Sequence, residues 1–320
     1  MMARENSGAF ASGAGVVWRR QGLVWWIFAV NFVLAFLAMH GVAPRVGGVL
    51  DHSLAAQRLL NGFDIGALAE LSVQPGISPL SVSPAAWAYS LVFFVFMLFM
   101  TGGILEVYRR DMRLATGEFF EACGAFFWRF VRLVIFLVLC AIPIAIFAGI
   151  MSAIGGRIDA HAVSAMTAVW YRIAIGVVIL LLALMLRLWF DMAEIHCVAQ
   201  NERRVRRALS AAWRLMFRNF GGLFGLFLGI TILCAAGFGF GLWLWMYVLP
   251  PTAIWGAFFL GQAMILWWIG MRLWQRAAET VWYQRHFERV AGEAPEPPRY
   301  PVIEPNLPSP LPPPLPTDQV

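Results

Sequence analysis

Six apolar runs, near 23–43, 87–105, 131–151, 170–190, 221–246 and 253–274, divide this chain of 320 residues. Each is long enough to cross the roughly 30 Å hydrocarbon core of a bilayer. In that medium a single segment satisfies its own backbone only as a helix. The balance of residue types agrees. The chain is 60% hydrophobic and 13% charged, with a mean hydropathy of +0.70, whereas a soluble domain is about 25% charged. The expected fold is all-α: a polytopic membrane bundle of six transmembrane helices in three hairpins. The first run is too long for a cleaved leader, and no small-x-small site follows Met39-His40-Gly41, so it reads as a span.

Arginine placement orients the bundle. Of the 24 basic residues, all of them Arg, only Arg45, Arg58, Arg157 and Arg172 fall in the segments that an N-terminus-inside topology places outside. Such asymmetry marks the cytoplasmic side. The reading is a multi-pass protein of the bacterial inner membrane with both termini cytoplasmic. The net charge of +6 then serves orientation and contact with anionic lipid, not nucleic-acid binding. Having no Lys also excludes Schiff-base, pyridoxal-phosphate and phosphate-loop chemistry. Cys123, Cys140, Cys197 and Cys234 are scattered through apolar segments and read as small core residues.

Part of the chain is written twice. Residues 128–194 and 213–279 correspond at an offset of 85 without a gap: Trp128-Arg129 with Trp213-Arg214, Arg187-Leu188-Trp189 with Arg272-Leu273-Trp274, and Ala193-Glu194 with Ala278-Glu279. Each copy holds one helical hairpin, and repeated hairpins are a common plan for membrane bundles. The expected organisation is a cytoplasmic segment at 1–22, a transmembrane domain at 23–290 with an outer loop at 44–86, and a Pro-rich cytoplasmic tail at 291–320.

Two amphipathic stretches precede spans three and five. The first presents Phe119, Phe120, Cys123, Phe126, Phe127 and Phe130 at helical spacing; the second presents Val205, Ala208, Leu209, Ala212, Leu215 and Met216 among arginines, with Asn201 as its expected cap. Both suit interfacial elbow helices that lie on the inner leaflet. The outer loop carries short helical patterns at about 49–60 and 64–72. The tail has the composition of a polyproline II strand, suited to a cytoplasmic protein partner or to plain solvation.

Charge inside a membrane is costly and is usually functional or paired. Six residues qualify as structural or relay charges: Arg187, Asp191, Glu194, Arg272, Glu279 and Glu106. Arg187 and Asp191, four apart, share a helix face, and Glu194 or Glu279 can close ion pairs between the two copies. Arg276 stands where the second copy would carry Asp191's counterpart. Gly221, Gly225 and Gly229, and again Gly237 and Gly241, form small-xxx-small stripes that permit close helix contact, inside the bundle or in an oligomer. Asp51-His52-Ser53 lacks the geometry of a triad, since adjacent residues on one helix diverge. No spacing of His, Cys or carboxylates demands a metal, and no catalytic residue or cofactor is implied.

Gly117-Glu118-Phe119-Phe120 leading to Phe127-Trp128-Arg129-Phe130, the Asp191-x-Ala193-x-Ile195 exit from span four, and Arg206-Arg207-Ala208-Leu209 after it resemble a group of bacterial six-span proteins. That group is the integral-membrane domain of some glycerophosphodiester phosphodiesterases and its stand-alone, uncharacterised relatives. The likeness covers roughly 87–290 and implies a membrane module. The 320 residues leave no room for the catalytic barrel of those enzymes, so phosphodiesterase activity is not carried over. The expected function is therefore non-enzymatic: a scaffold or accessory subunit of a membrane complex, touching lipid and a protein partner through 291–320. The alternative is a small transporter or permease subunit that uses the interface between the copies.

Overall fold

A computed structural model describes residues 2–50, 66, 84–161, 165–250 and 252–293. Among them eight helices and no strand are found: α1 Met2–Arg19, α2 Gln21–Leu50, α3 Pro84–Arg110, α4 Thr116–His161, α5 Ala165–Ala199, α6 Val205–Arg218, α7 Phe220–Tyr247 and α8 Ile254–Glu293. Six of these, α2, α3, α4, α5, α7 and α8, are long and apolar enough to cross a membrane. The outer-loop helices expected near 49–60 and 64–72, with Asp51, His52 and Ser53, lie almost wholly outside the described residues. So does the tail at 291–320.

The spans pair as hairpins α2–α3, α4–α5 and α7–α8, and the second helix of each hairpin meets the other two at the centre. Thus α3, α5 and α8 form the inner trio. Packing is concentrated where these helices reach the Arg-rich end of the bundle. There Ile104, Leu105, Leu188, Met192, Ala193, Ala277, Ala278, Trp282 and Tyr283 are buried. Toward the opposite end the helices present Leu91, Val92, Ile142, Ile146, Ile150, Ile173, Val177, Leu180, Phe240, Trp243, Trp255 and Phe259 outward. In water such faces would drive aggregation; against lipid chains they are matched to their solvent.

Three amphipathic pieces wrap the Arg-rich end, each against one helix of the trio. The start of α4 crosses α3 where Gly102 and Gly103 face Ala122, Cys123, Phe119 and Phe126. Helix α6 lies on α5: the Trp189 indole donates to the Leu209 carbonyl at 2.9 Å and its ring meets Trp213 at 4.9 Å. Helix α1 lies on α8: the Trp274 indole donates to the Phe10 carbonyl at 3.0 Å, and the rings of Phe10 and Trp274 are 4.5 Å apart. Small residues set the approach. A Cβ on Gly13 would come within 2.7 Å of the Ala278 backbone, and Ala193, Ala208 and Ala212 are buried at the α5–α6 crossing. Each hairpin's leading piece clasps a trio helix of another hairpin, and α1 on α8 closes the ring.

Several local expectations change. The first elbow is not a separate helix. No Gly or Pro stands between Gly124 and Pro143, so the helix does not end after Phe130, and α4 runs for 46 residues with Pro143 inside it, about 69 Å at roughly 1.5 Å per residue. The second elbow is separate because Asn219, at φ −123° and ψ 32°, interrupts the helix between Arg218 and Phe220. Asn201 does not cap α6. It takes a left-handed backbone at φ 48° after α5, a conformation Asn tolerates, and its Oδ1 accepts a 2.8 Å hydrogen bond from Arg129. Arg204 holds the N-cap position, with no side-chain cap bond. Most of the segment expected as a plain cytoplasmic stretch at 1–22 is the helix α1.

The two glycine stripes also part company. Gly237 and Gly241 face Trp267 and Met264 of α8, leaving no room for a side chain at either position. Gly221, Gly225 and Gly229 are exposed with nothing within 4 Å of a would-be Cβ. Of the two contacts expected of this stripe, inside the bundle or in an oligomer, the first is not made: the stripe lies on the outer surface, because the buried face of α7 is made by Leu223, Leu226, Phe227 and Ile230 instead.

Candidate functional site: a charged floor under an apolar cavity

Where α5 and α8 run side by side, their polar residues meet across the interface. Asp191 is almost fully buried and accepts from both terminal nitrogens of Arg272, at 3.1 and 3.2 Å. The Arg276 guanidinium lies 3.0 Å from Glu194 and 3.8 Å from Asp191, and donates to the Thr101 hydroxyl at 2.9 Å. One α8 arginine thus ties α5 to α3, because Thr101 is itself bonded back to the Met97 carbonyl of α3 at 2.7 Å. Arg187, expected to pair with Asp191, reaches it only at 3.7 Å and gives its short hydrogen bond to Gln275 Oε1 at 3.0 Å.

Arg187, Asp191, Glu194, Arg272 and Glu279 are therefore brought into one cluster, and Glu106 is not. The Glu106 carboxylate turns to its own helix, where Arg109 contacts both oxygens at 2.6 and 2.9 Å and Arg110 contacts one at 2.6 Å. Glu279 is fully buried and neither of its oxygens has a hydrogen-bond partner. Three guanidinium groups face three carboxylates in the cluster, so the formal sum is neutral. Ion pairs shared between helices are a common way to hold charge inside a membrane bundle.

Thr101, Gln275 and the bridging role of Arg276 were not anticipated. The mismatch of Asp191 with Arg276 at offset 85 was the available signal, since an unlike pair at matched positions can complement across the interface. The docking of α1 had a signal too: Trp18-Arg19 repeats the pair at 128–129 and 213–214. Among the described residues no group of three or more His, Cys, Asp or Glu is placed to hold a metal ion.

Beneath the far end, the cluster floors a cavity of about 620 Å³. Its floor is Thr101, Arg187, Asp191, Glu194, Arg272 and Arg276; its walls are apolar side chains of α3, α4, α5 and α8, with Ile27 from α2. On α5 the lining extends from Ile179 to Glu194, about 22 Å at roughly 1.5 Å per residue. Small-molecule sites typically have this character: about 300–1,000 Å³, mostly apolar, with a few convergent polar groups. Comparison of the chain with protein-family models, with curated proteins and with solved structures finds no match in any of the three.

Proposed function

We propose that the protein is a non-enzymatic, multi-pass protein of the bacterial inner membrane, with both termini cytoplasmic, acting as a scaffold or accessory subunit of a membrane complex. The observation that carries this reading is the state of the carboxylates that line the cavity. Asp191 and Glu194 line the cavity, but Arg272 and Arg276 hold them, and Glu106 is held by Arg109 and Arg110. A carboxylate that moves protons or attacks a substrate needs free lone pairs facing that substrate; Asp191 and Glu194 are tied to arginines that join α5 to α8 and α3, Glu106 is tied within α3, and Glu279, whose oxygens are unpaired, does not line the cavity. The correspondence of 128–194 with 213–279, and the likeness to the membrane domain of glycerophosphodiester phosphodiesterases, belong to this reading on sequence pattern alone.

The test is co-purification from native membranes. The full chain should retain a reproducible protein partner that is lost when 291–320 is deleted, and a chain that retains none counts against the proposal. A second reading, a small transporter or permease subunit, has the charged floor of the cavity in its favour. Solute or proton flux in proteoliposomes that disappears in Asp191→Asn would replace the first reading with the second.

A further inference from the structure

We propose that the cavity between α3, α4, α5 and α8 is a binding site for one anionic membrane phospholipid, with an acyl chain along the apolar walls and the headgroup phosphate on Arg187. The inference is independent of the accessory role, since a lipid site serves a scaffold and a transporter equally.

Hydrogen-bonding capacity identifies the headgroup. Both carboxylates in the floor are engaged by Arg272 and Arg276, so the floor has little acceptor capacity left for a cationic ligand. Among the groups that line the cavity donor capacity is in excess, since Glu279, whose oxygens are unpaired, is not one of them. Arg187 Nε is buried with no hydrogen-bond partner, and beside it Gln275 Nε2 is in the same condition. The Arg187 side chain is 38% exposed and faces the cavity. A guanidinium has five donors arranged for a planar or tetrahedral oxyanion, and here one short bond, to the neutral Gln275 Oε1, and a looser approach of Nε to Asp191 at 3.7 Å leave most of them open. Buried donors without acceptors are costly, and a phosphate oxygen in the cavity would give the Arg187 guanidinium, which lines it, an acceptor.

The walls identify the rest of the molecule. They run about 22 Å along α5, at roughly 1.5 Å per residue, which is most of the roughly 30 Å hydrocarbon thickness. Phe94, Ala145 and Ala183 in the lining are exposed, so among the described residues the cavity is not sealed from surrounding lipid. The polar end lies toward the Arg-rich side, where headgroups of that leaflet sit, and the apolar end points into the bilayer. A lipid from that leaflet enters in its natural orientation.

The experiment uses the full chain, purified in detergent, stripped of lipid and titrated with phosphatidylglycerol, with retained lipid counted by native mass spectrometry. One phosphatidylglycerol should be held per chain, about tenfold more tightly than phosphatidylcholine, as expected for about one charge-assisted contact. Arg187→Gln should weaken retention about tenfold and Arg187→Lys less, by the same contact. Ala145→Trp, which fills the wall and leaves the floor intact, should also abolish retention. Arg157→Gln, outside the cavity, should leave it unchanged. Equal retention of the two phospholipids, displacement of phosphatidylglycerol by inorganic phosphate, tighter binding of oleate, or unaltered retention in both Arg187→Gln and Ala145→Trp would each overturn the proposal. Loss of a protein partner with lipid retention intact would reject the accessory role alone.

Discussion

The two ends of this bundle are held together by different means. At the Arg-rich end, α1, the start of α4 and α6 clasp the trio of α3, α5 and α8, and buried side chains interlock around Leu188, Met192 and Ala278. At the far end the same helices spread, leaving long apolar faces and a cavity between them. Apolar area alone does little to join helices in lipid, because the lipid tails are equally apolar. Association needs close backbone approach or polar contacts, and both are gathered at one end: Gly13, Gly102 and Gly103 for approach, and Asp191, Arg272 and Arg276 for polarity.

That contrast can be broken most severely at Asp191. Replacing it with Ala leaves Arg272 without its carboxylate in a buried setting, and removal of one member of such a pair costs about 3–5 kcal/mol. Unfolding of Asp191→Ala in detergent should therefore begin far below the parent. If the two melt together, the ion pairs do not hold the trio. Next in size is the α1–α8 crossing. Gly13→Leu meets backbone, which cannot move aside as a side chain can, and overpacking of this kind costs about 1–3 kcal/mol. Limited proteolysis should release residues 2–19 in that variant. Gly239→Leu, at an exposed far-end site with nothing within 4 Å, should behave as the parent does. Equal protease sensitivity of both variants would erase the distinction between the ends.

Smaller effects sharpen the picture. Trp189→Phe keeps the ring contact and loses the hydrogen bond to Leu209, worth about 1 kcal/mol, which hydrogen exchange of α6 should register as loosening. Asp111→Asn tests an ion pair on the surface of the same end. Arg19 and Asp111 are 2.7 Å apart, with side chains 55% and 48% exposed, and pairs of that kind contribute about 0–1 kcal/mol. Asn also accepts the left-handed backbone found there, φ 47°. Thermal midpoints should hardly differ, and a large drop would mean that the α1–α3 junction carries more of the fold than its exposure implies.

The six spans were legible because length and hydropathy decide membrane helices almost alone. Helix α1 was not, because Met2–Arg19 is built from Gly, Ala, Ser and Asn beside a few apolar residues. Its composition argues against a stable isolated helix, yet its lack of bulk is what lets Gly13 approach Ala278. The unbroken α4 was hidden by a change of pattern: one apolar face up to Phe130 gives way to apolar residues all round, and that shift mimics a boundary. The site was half legible. Arg187, Asp191, Glu194, Arg272 and Glu279 could be gathered by their depth in the spans, but their partners depend on helix rotation. Rotation turns Asp191 from Arg187, on its own helix, toward Arg272 on the next. Glu106 pairs instead with Arg109 and Arg110, its i+3 and i+4 neighbours on its own helix, whatever the rotation.

The clasp of α1 on α8 imposes an order on biogenesis. A chain is made from its N-terminus, and its early parts fold when their partners exist. Helix α1 leaves the ribosome before every other described helix, while Trp274 and Ala278, the surface it grips, are among the last described residues to follow. Until α8 is made, the apolar face of α1, with Ala9, Phe10 and Val16, waits without its seat. The ring can lock only when the final hairpin is in place.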